Sequence, residues 1–135
     1  MKSFYSCLDP FVVAPQSEQH TLINKKAAAE NGKVVFYGAE DFFAAQSQPF
    51  ILFKLKRTAN IDGVIFFTIN QFCYGSRLNL KLLYQILELK ISVHFAREFF
   101  SILNSNQLED KYIELLAYFQ STFKNQNGFL LNESK

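Results

Sequence analysis

Ile61-Asp62-Gly63-Val64-Ile65-Phe66-Phe67-Thr68-Ile69 is the stretch that decides the fold. From Gly63 to Phe67 its apolar run is unbroken. A strand with one wet face alternates apolar and polar residues, so an unbroken run predicts a central strand covered on both faces. Three other segments read as its neighbours. Phe4 to Leu8 forms a first strand that ends at Asp9-Pro10, and Val34-Val35-Phe36-Tyr37 forms a second that Gly38 stops. Ile91-Ser92-Val93-His94-Phe95 forms a fourth.

The segments between them read as helices. Ser17 can cap one that runs to about Asn31. Pro49 opens another, through Phe50, Leu52-Phe53 and Leu55, ending near Asn60. Gly75-Ser76 precedes a third, from Arg77 to Leu89, with Leu78, Leu82, Ile86 and Leu89 on its apolar stripe. Leu108, Tyr112, Leu115, Leu116, Phe119 and Phe123 mark a long C-terminal helix, followed by a frayed tail over 126–135. Strands alternating with helices predict an α/β fold. The expectation is a single domain over 1–125, a three-layer α/β/α sandwich on a mostly parallel four-stranded sheet of order 2-1-3-4.

At 135 residues, 49% hydrophobic, the chain suffices for one substantial core. Sixteen Phe and six Tyr with no Trp make that core aromatic. A formal net charge of +2 is too balanced to point to nucleic acid as the main partner. Two cysteines, Cys7 and Cys73, are too few for a disulfide framework and read as buried thiols of a cytoplasmic chain. No apolar run approaches a membrane span, so any action at a membrane is from its surface.

In open parallel sheets, ligands sit beyond the carboxyl ends of the strands, where strand order reverses. With order 2-1-3-4 that point lies between strands one and three. The candidate binding residues are then Asp9 and Gln16 after strand one, Thr68, Asn70 and Gln71 after strand three, Arg77 at the third helix, and Arg97 after strand four. Glu40, His94 and Glu98 are candidates for acid/base work, with Asp9 a further carboxylate, if their surroundings separate their pKa values. Each carboxylate reads equally as a solvated loop residue, and His94, inside a strand, as a satisfied structural histidine. Its side chain points opposite to those of Val93 and Phe95. Together these groups suit a polyhydroxyl or phosphorylated compound.

His20 and His94 lack metal-ligand spacing, so no metal site is expected. The loop after strand one has no glycine, and neither phosphate-wrapping glycine motif occurs. Classical NAD or ATP binding is therefore disfavoured and no cofactor is expected. Gly75-Ser76-Arg77 at a helix start can hold one phosphate, or be an ordinary cap.

Two resemblances follow from these residues. Tyr5-Ser6, the loop with Gln16 and Gln19, Ile61-Asp62-Gly63-Val64 and Val93-His94-Phe95 resemble the catalytic domain of serine recombinases. That implies a resolvase-like, flavodoxin-like fold. Those enzymes attack DNA with a serine at the end of strand one and clustered arginines. Here Ser6 is followed by Cys7, the arginines are only Arg57, Arg77 and Arg97, and Asn70-Gln71 stand where recombinases carry Asp-Arg. The second resemblance is to the sporadic carbohydrate cluster proteins of bacterial surface-polysaccharide loci. It is carried by Tyr5, Pro10-Phe11, Pro15-Gln16, Glu40, Asn60-Ile61-Asp62-Gly63-Val64 and His94-Phe95-Ala96-x-Glu98. Family members commonly carry an arginine in the first loop, where this chain has Val13-Ala14.

That second resemblance implies a role in surface-glycan synthesis. One expectation is an enzyme or enzyme subunit acting on a sugar or sugar nucleotide through Glu40, His94 and Glu98. Another is a non-catalytic binding, regulatory or scaffold module of the same pathway. A degenerate recombinase acting on DNA is a remote third. The aromatic stripe of the C-terminal helix suggests a two-fold homodimer, or simply a helix that covers the sheet.

Overall fold

In the computed structural model, residues 1–10, 12, 14–39, 44, 49–75 and 77–120 are described. Glu40, Ser76, Phe123 and the tail lie outside them. The unbroken run becomes β3 (Gly63–Phe66), buried along its whole length. It pairs in parallel with β1 (Lys2–Leu8) on one side, Ser6 against Ile65 and Cys7 against Phe66. Counting further along the chain, β4 (Cys73–Tyr74) and β5 (Arg77–Leu78) form a short hairpin of their own. On its other side β3 pairs in parallel with β6 (Ser92–Phe95), Ile65 against His94. β2 (Gly32–Ala39) extends the sheet beyond β1.

The four expected strands, β1, β2, β3 and β6, therefore stand in the expected order. The sheet has a fifth, because β7 (Phe100–Ile102) adds antiparallel to β6, giving β2-β1-β3-β6-β7. The expected four-stranded sheet is corrected on this point. The turn that brings the chain back places Phe99 at φ 54, a left-handed conformation rare for an aromatic residue, so no glycine marks it.

Helix α1 (Gln16–Ala29) covers one face, where Phe4, Leu8, Ile65 and Phe67 pack against Ile23 and Ala27. Pro15, not Ser17, stands at its N-cap, and no side chain caps it. On the other face α2 (Phe50–Arg57) and α3 (Leu80–Leu87) send Ile51, Leu55, Leu83 and Ile86 onto Tyr5, Cys7, Val64, Phe66 and Phe95. The helix expected from Arg77 starts three residues later. Asn79 caps it, its side chain accepting from the Leu82 N–H at 3.0 Å, while Arg77 belongs to the hairpin.

The expected long C-terminal helix is also corrected. It is α4 (Ser105–Asp110), a turn at Lys111, and a helix over 112–120. Leu115 and Phe119 are core residues and Leu108 packs against the core, while Tyr112 is exposed; Tyr118 packs on Phe100, ring centroids 5.1 Å apart.

Gly63 marks how closely β3 approaches β6. A Cβ there would strike the Ser92 hydroxyl and lie 2.8 Å from the Ser92 carbonyl oxygen. A backbone atom cannot step aside cheaply, so Gly63→Ala should cost about 2 kcal/mol, roughly 6–10 °C in Tm. A urea melt checks this, and an unchanged midpoint would refute so tight a β3–β6 contact.

Candidate functional site

The carboxyl ends of β1, β3 and β6 lie side by side, and polar residues follow each. Beyond β3, Thr68 is fully buried and caps a short 3-10 turn, Ile69–Phe72. Its backbone N–H donates to Gln71 Oε1 at 2.9 Å. The Gln71 amide nitrogen in turn donates to the Cys7 and Leu8 carbonyls at 3.2 and 3.1 Å. Gln71 thus ties the end of β3 to the end of β1, at the point where strand order reverses.

Glu98 comes in from the β6–β7 turn with its side chain only 3% exposed. The Thr68 hydroxyl donates to its Oε2 at 2.7 Å and the Ile69 N–H to its Oε1 at 3.1 Å. Arg97 Nε lies 3.5 Å from the same Oε2, and Arg97 Nη2 donates to the Thr68 hydroxyl oxygen at 2.8 Å. The guanidinium also lies over the Phe67 ring, 5.6 Å from its centroid. A buried carboxylate is tolerated only when paired and hydrogen-bonded, and here both oxygens are engaged. The same contacts fix Arg97, and its side chain remains 29% exposed. A guanidinium carries five donors, so those not used on Glu98 and Thr68 remain available for an acceptor.

Asn70 completes the cluster. Its N–H donates to the Thr68 hydroxyl oxygen at 3.3 Å. Its side-chain oxygen, Oδ1, is buried and has no hydrogen-bond partner among the described residues. A buried unpaired acceptor is costly and calls for a donor.

Asp9 follows β1 immediately. Its N–H donates to Gln19 Oε1 at 2.9 Å, and Gln19 Nε2 donates back to the Asp9 and Ala14 carbonyls at 2.9 and 3.1 Å. Gln19 therefore clamps the loop after β1 onto α1. The sequence reading did not place it among the site residues, although a glutamine at the i−4 position from Ile23, on the buried face of α1, was a legible signal.

Thr68, Asn70, Gln71, Arg97 and Glu98 are thus brought together. Gln16, the first residue of α1, is exposed. Arg77 is exposed, pairs with Tyr74 in the hairpin and opens no helix, so neither the helix-start phosphate site nor the ordinary cap read there places it at a helix N-terminus. His94 lies within β6, 1% exposed, with Nε2 at 2.7 Å from Ser92 Oγ and Nδ1 at 2.7 Å from Ser101 Oγ. It stands edge-on to Phe4, on the α1 face, away from Val93 and Phe95 as expected. Burial pushes its pKa down to about 4. Both nitrogens are hydrogen-bonded and the ring is buried, the arrangement of a satisfied structural histidine. Glu40 lies outside the described residues. Cys7 is buried in β1 and burial raises the Cys73 thiol pKa, the opposite of a reactive cysteine. Among the described residues no cluster suits a metal ion.

No family model matches the chain, and no curated protein does. The architecture is that of the resolvase-like α/β domains. Among solved structures it is similar to a resolvase family site-specific recombinase from Streptococcus pneumoniae, at a TM-score of 0.57 and 9% identity over 100% of both chains. This likeness shows the fold. Ser6, the hydroxyl read as the counterpart of the recombinase nucleophile, is fully buried inside β1, its Oγ donating to the Phe36 carbonyl at 3.3 Å. The residue beyond the strand end is Asp9.

Proposed function

We propose that the chain is a ligand-binding domain that takes a sugar or sugar phosphate at the carboxyl ends of β1, β3 and β6, without catalysing its conversion. The observation that carries this reading is the buried Asn70 Oδ1, without a hydrogen-bond partner among the described residues, on a turn whose Thr68 hydroxyl also holds Arg97. A ligand hydroxyl would donate to Asn70, and a phosphate would accept from the guanidinium donors left over by Glu98 and Thr68. Binding is favoured over catalysis because two of the acid/base candidates are already engaged, Glu98 on both oxygens and His94 on both nitrogens. A place in bacterial glycan synthesis, as a binding or regulatory module, is part of the same proposal; no comparison with known proteins supports the surface-polysaccharide family, so it rests on the sequence resemblance alone.

The test is a thermal-shift screen with hexose phosphates, nucleotide sugars, free sugars and duplex DNA. A ligand at 100 times its Kd adds about 2.7 kcal/mol, roughly 5–10 °C for a domain of this size. Asn70→Ala and Arg97→Ala should each weaken the sugar ligand by about tenfold or more by calorimetry, since each removes at least one hydrogen bond. A shift with duplex DNA and none with any sugar would replace this reading with a DNA-acting one, which the fold of the recombinase neighbour favours. Turnover abolished by Glu98→Gln in a well-folded variant would restore the enzyme.

A further inference from the structure

Helix α2 has a buried face and an exposed face. Ile51 and Leu55 are buried at 3% and 4% and enter the core. Phe50, Phe53, Lys54 and Arg57, spaced i, i+3, i+4 and i+7, form the other face. That outward face is where an amphipathic helix ordinarily carries only polar groups. Here Phe50 is 57% and Phe53 48% exposed.

The charge on this helix is one-sided. Lys54, Lys56 and Arg57 fill its last turn and no acidic residue occurs in it. Its three cations exceed the formal net charge of +2 for the whole chain. The aromatic and cationic groups are interleaved. The Phe50 and Phe53 rings stack, centroids 6.3 Å apart at 27°. The Lys54 ammonium lies 5.2 Å from the Phe50 centroid and the Arg57 guanidinium 4.2 Å from the Phe53 centroid.

We propose that this face of α2 docks on an anionic phospholipid bilayer. Phe50 and Phe53 enter the boundary between headgroups and acyl chains, Lys54 and Arg57 meet the lipid phosphates and anionic headgroups from the same face, and Lys56 adds its charge from the flank. Aromatic residues flanked by cations on one side of a helix are the chemistry of interfacial attachment. Single-stranded nucleic acid is the competing anion, and it binds by laying bases on open aromatic faces. A base stacking on either ring would compete with the cation already over it. Among the described residues no helix is long and apolar enough to cross a membrane, so the attachment is peripheral.

The experiment is co-sedimentation of the full chain with vesicles of phosphatidylcholine alone and of phosphatidylcholine mixed with phosphatidylglycerol. The chain should pellet with the anionic vesicles only and be released by added salt. Phe50→Ser with Phe53→Ser, and separately Lys54→Gln with Arg57→Gln, should each lower the partition coefficient roughly tenfold or more. Lys25→Gln with Lys81→Gln, exposed lysines on α1 and α3, should change it less than threefold. If the phenylalanine pair fails to fold, as read by circular dichroism, the glutamine pair decides. Three results each overturn the proposal: no pelleting with anionic vesicles, a Lys54→Gln/Arg57→Gln chain that pellets like the parent, or tighter binding of a single-stranded oligonucleotide in the same buffer.

Discussion

Acidification from pH 6.5 to pH 4 should lower stability by about 2.5 kcal/mol through His94 alone. Burial holds the folded pKa of His94 at about 4, against an ordinary value of 6.5. Below pH 6.5 the unfolded chain takes up a proton that the folded chain refuses. The stabilising effect of a neutral, buried imidazole is therefore complete above pH 6.5 and is lost as pH falls toward 4. The groups that face the ring divide. Glu30 Oε1, 3.9 Å from Nδ1, favours the proton, while Lys26, Lys2 and Lys111 oppose it. Desolvation outweighs Glu30 because the carboxylate is also held by the Lys26 ammonium, 3.2 Å from its other oxygen. Urea melts at the two pH values measure the effect. His94→Gln removes the titration while leaving an amide to meet Ser92 and Ser101, so its melts should differ less between the two pH values by about that amount. An equal acid loss in parent and variant would assign the sensitivity to other groups.

His94 also shows where sequence reading stops. Alternation along the strand placed its side chain opposite Val93 and Phe95, and that is where it lies. What surrounds it there depends on Ser101, seven residues on, and Ser101 arrives only because the chain reverses into β7. The reversal has no written signal, since its left-handed residue is Phe99 and its strand is three residues long. The β4–β5 hairpin escaped for a related reason. Its strands are two residues each, and Gly75, at φ 63, reads from sequence as the approach to a helix. Asn79 was the true start signal, a side-chain cap directly before the apolar residues of α3.

β3 was legible because burial on both faces leaves an unbroken apolar run, which depends on no partner. The site followed from β3 by topology. Once the strand order is set, Thr68, Asn70, Gln71, Arg97 and Glu98 must fall at adjacent strand ends. Topology does not say which of these groups engage one another. The engagement of Glu98 with Thr68 and Arg97 turns a candidate acid into a fixed support, and it is this pairing that moves the reading from catalysis to binding.

That support predicts a large effect on removal. Glu98→Ala should destabilise the protein by about 3 kcal/mol, roughly 9–15 °C in Tm. The buried carboxylate accepts from the Thr68 hydroxyl and the Ile69 N–H, and neither donor regains full access to water when it is gone. Arg97 loses its counter-ion, but its 29% exposed side chain still reaches solvent, which keeps the cost at the lower end of that for breaking a buried pair. Glu98→Gln retains an acceptor and the shape but not the charge, so it should cost about half as much. The two variants also separate stability from binding. With Glu98 absent, Arg97 is free to swing from Thr68 and Phe67, so a phosphorylated sugar should bind Glu98→Ala more weakly than Glu98→Gln, measured by calorimetry well below both melting points. Equal midpoints for parent and Glu98→Ala would mean that the Thr68–Arg97–Glu98 network does not hold the strand ends together, and the binding site argued from it would fall as well.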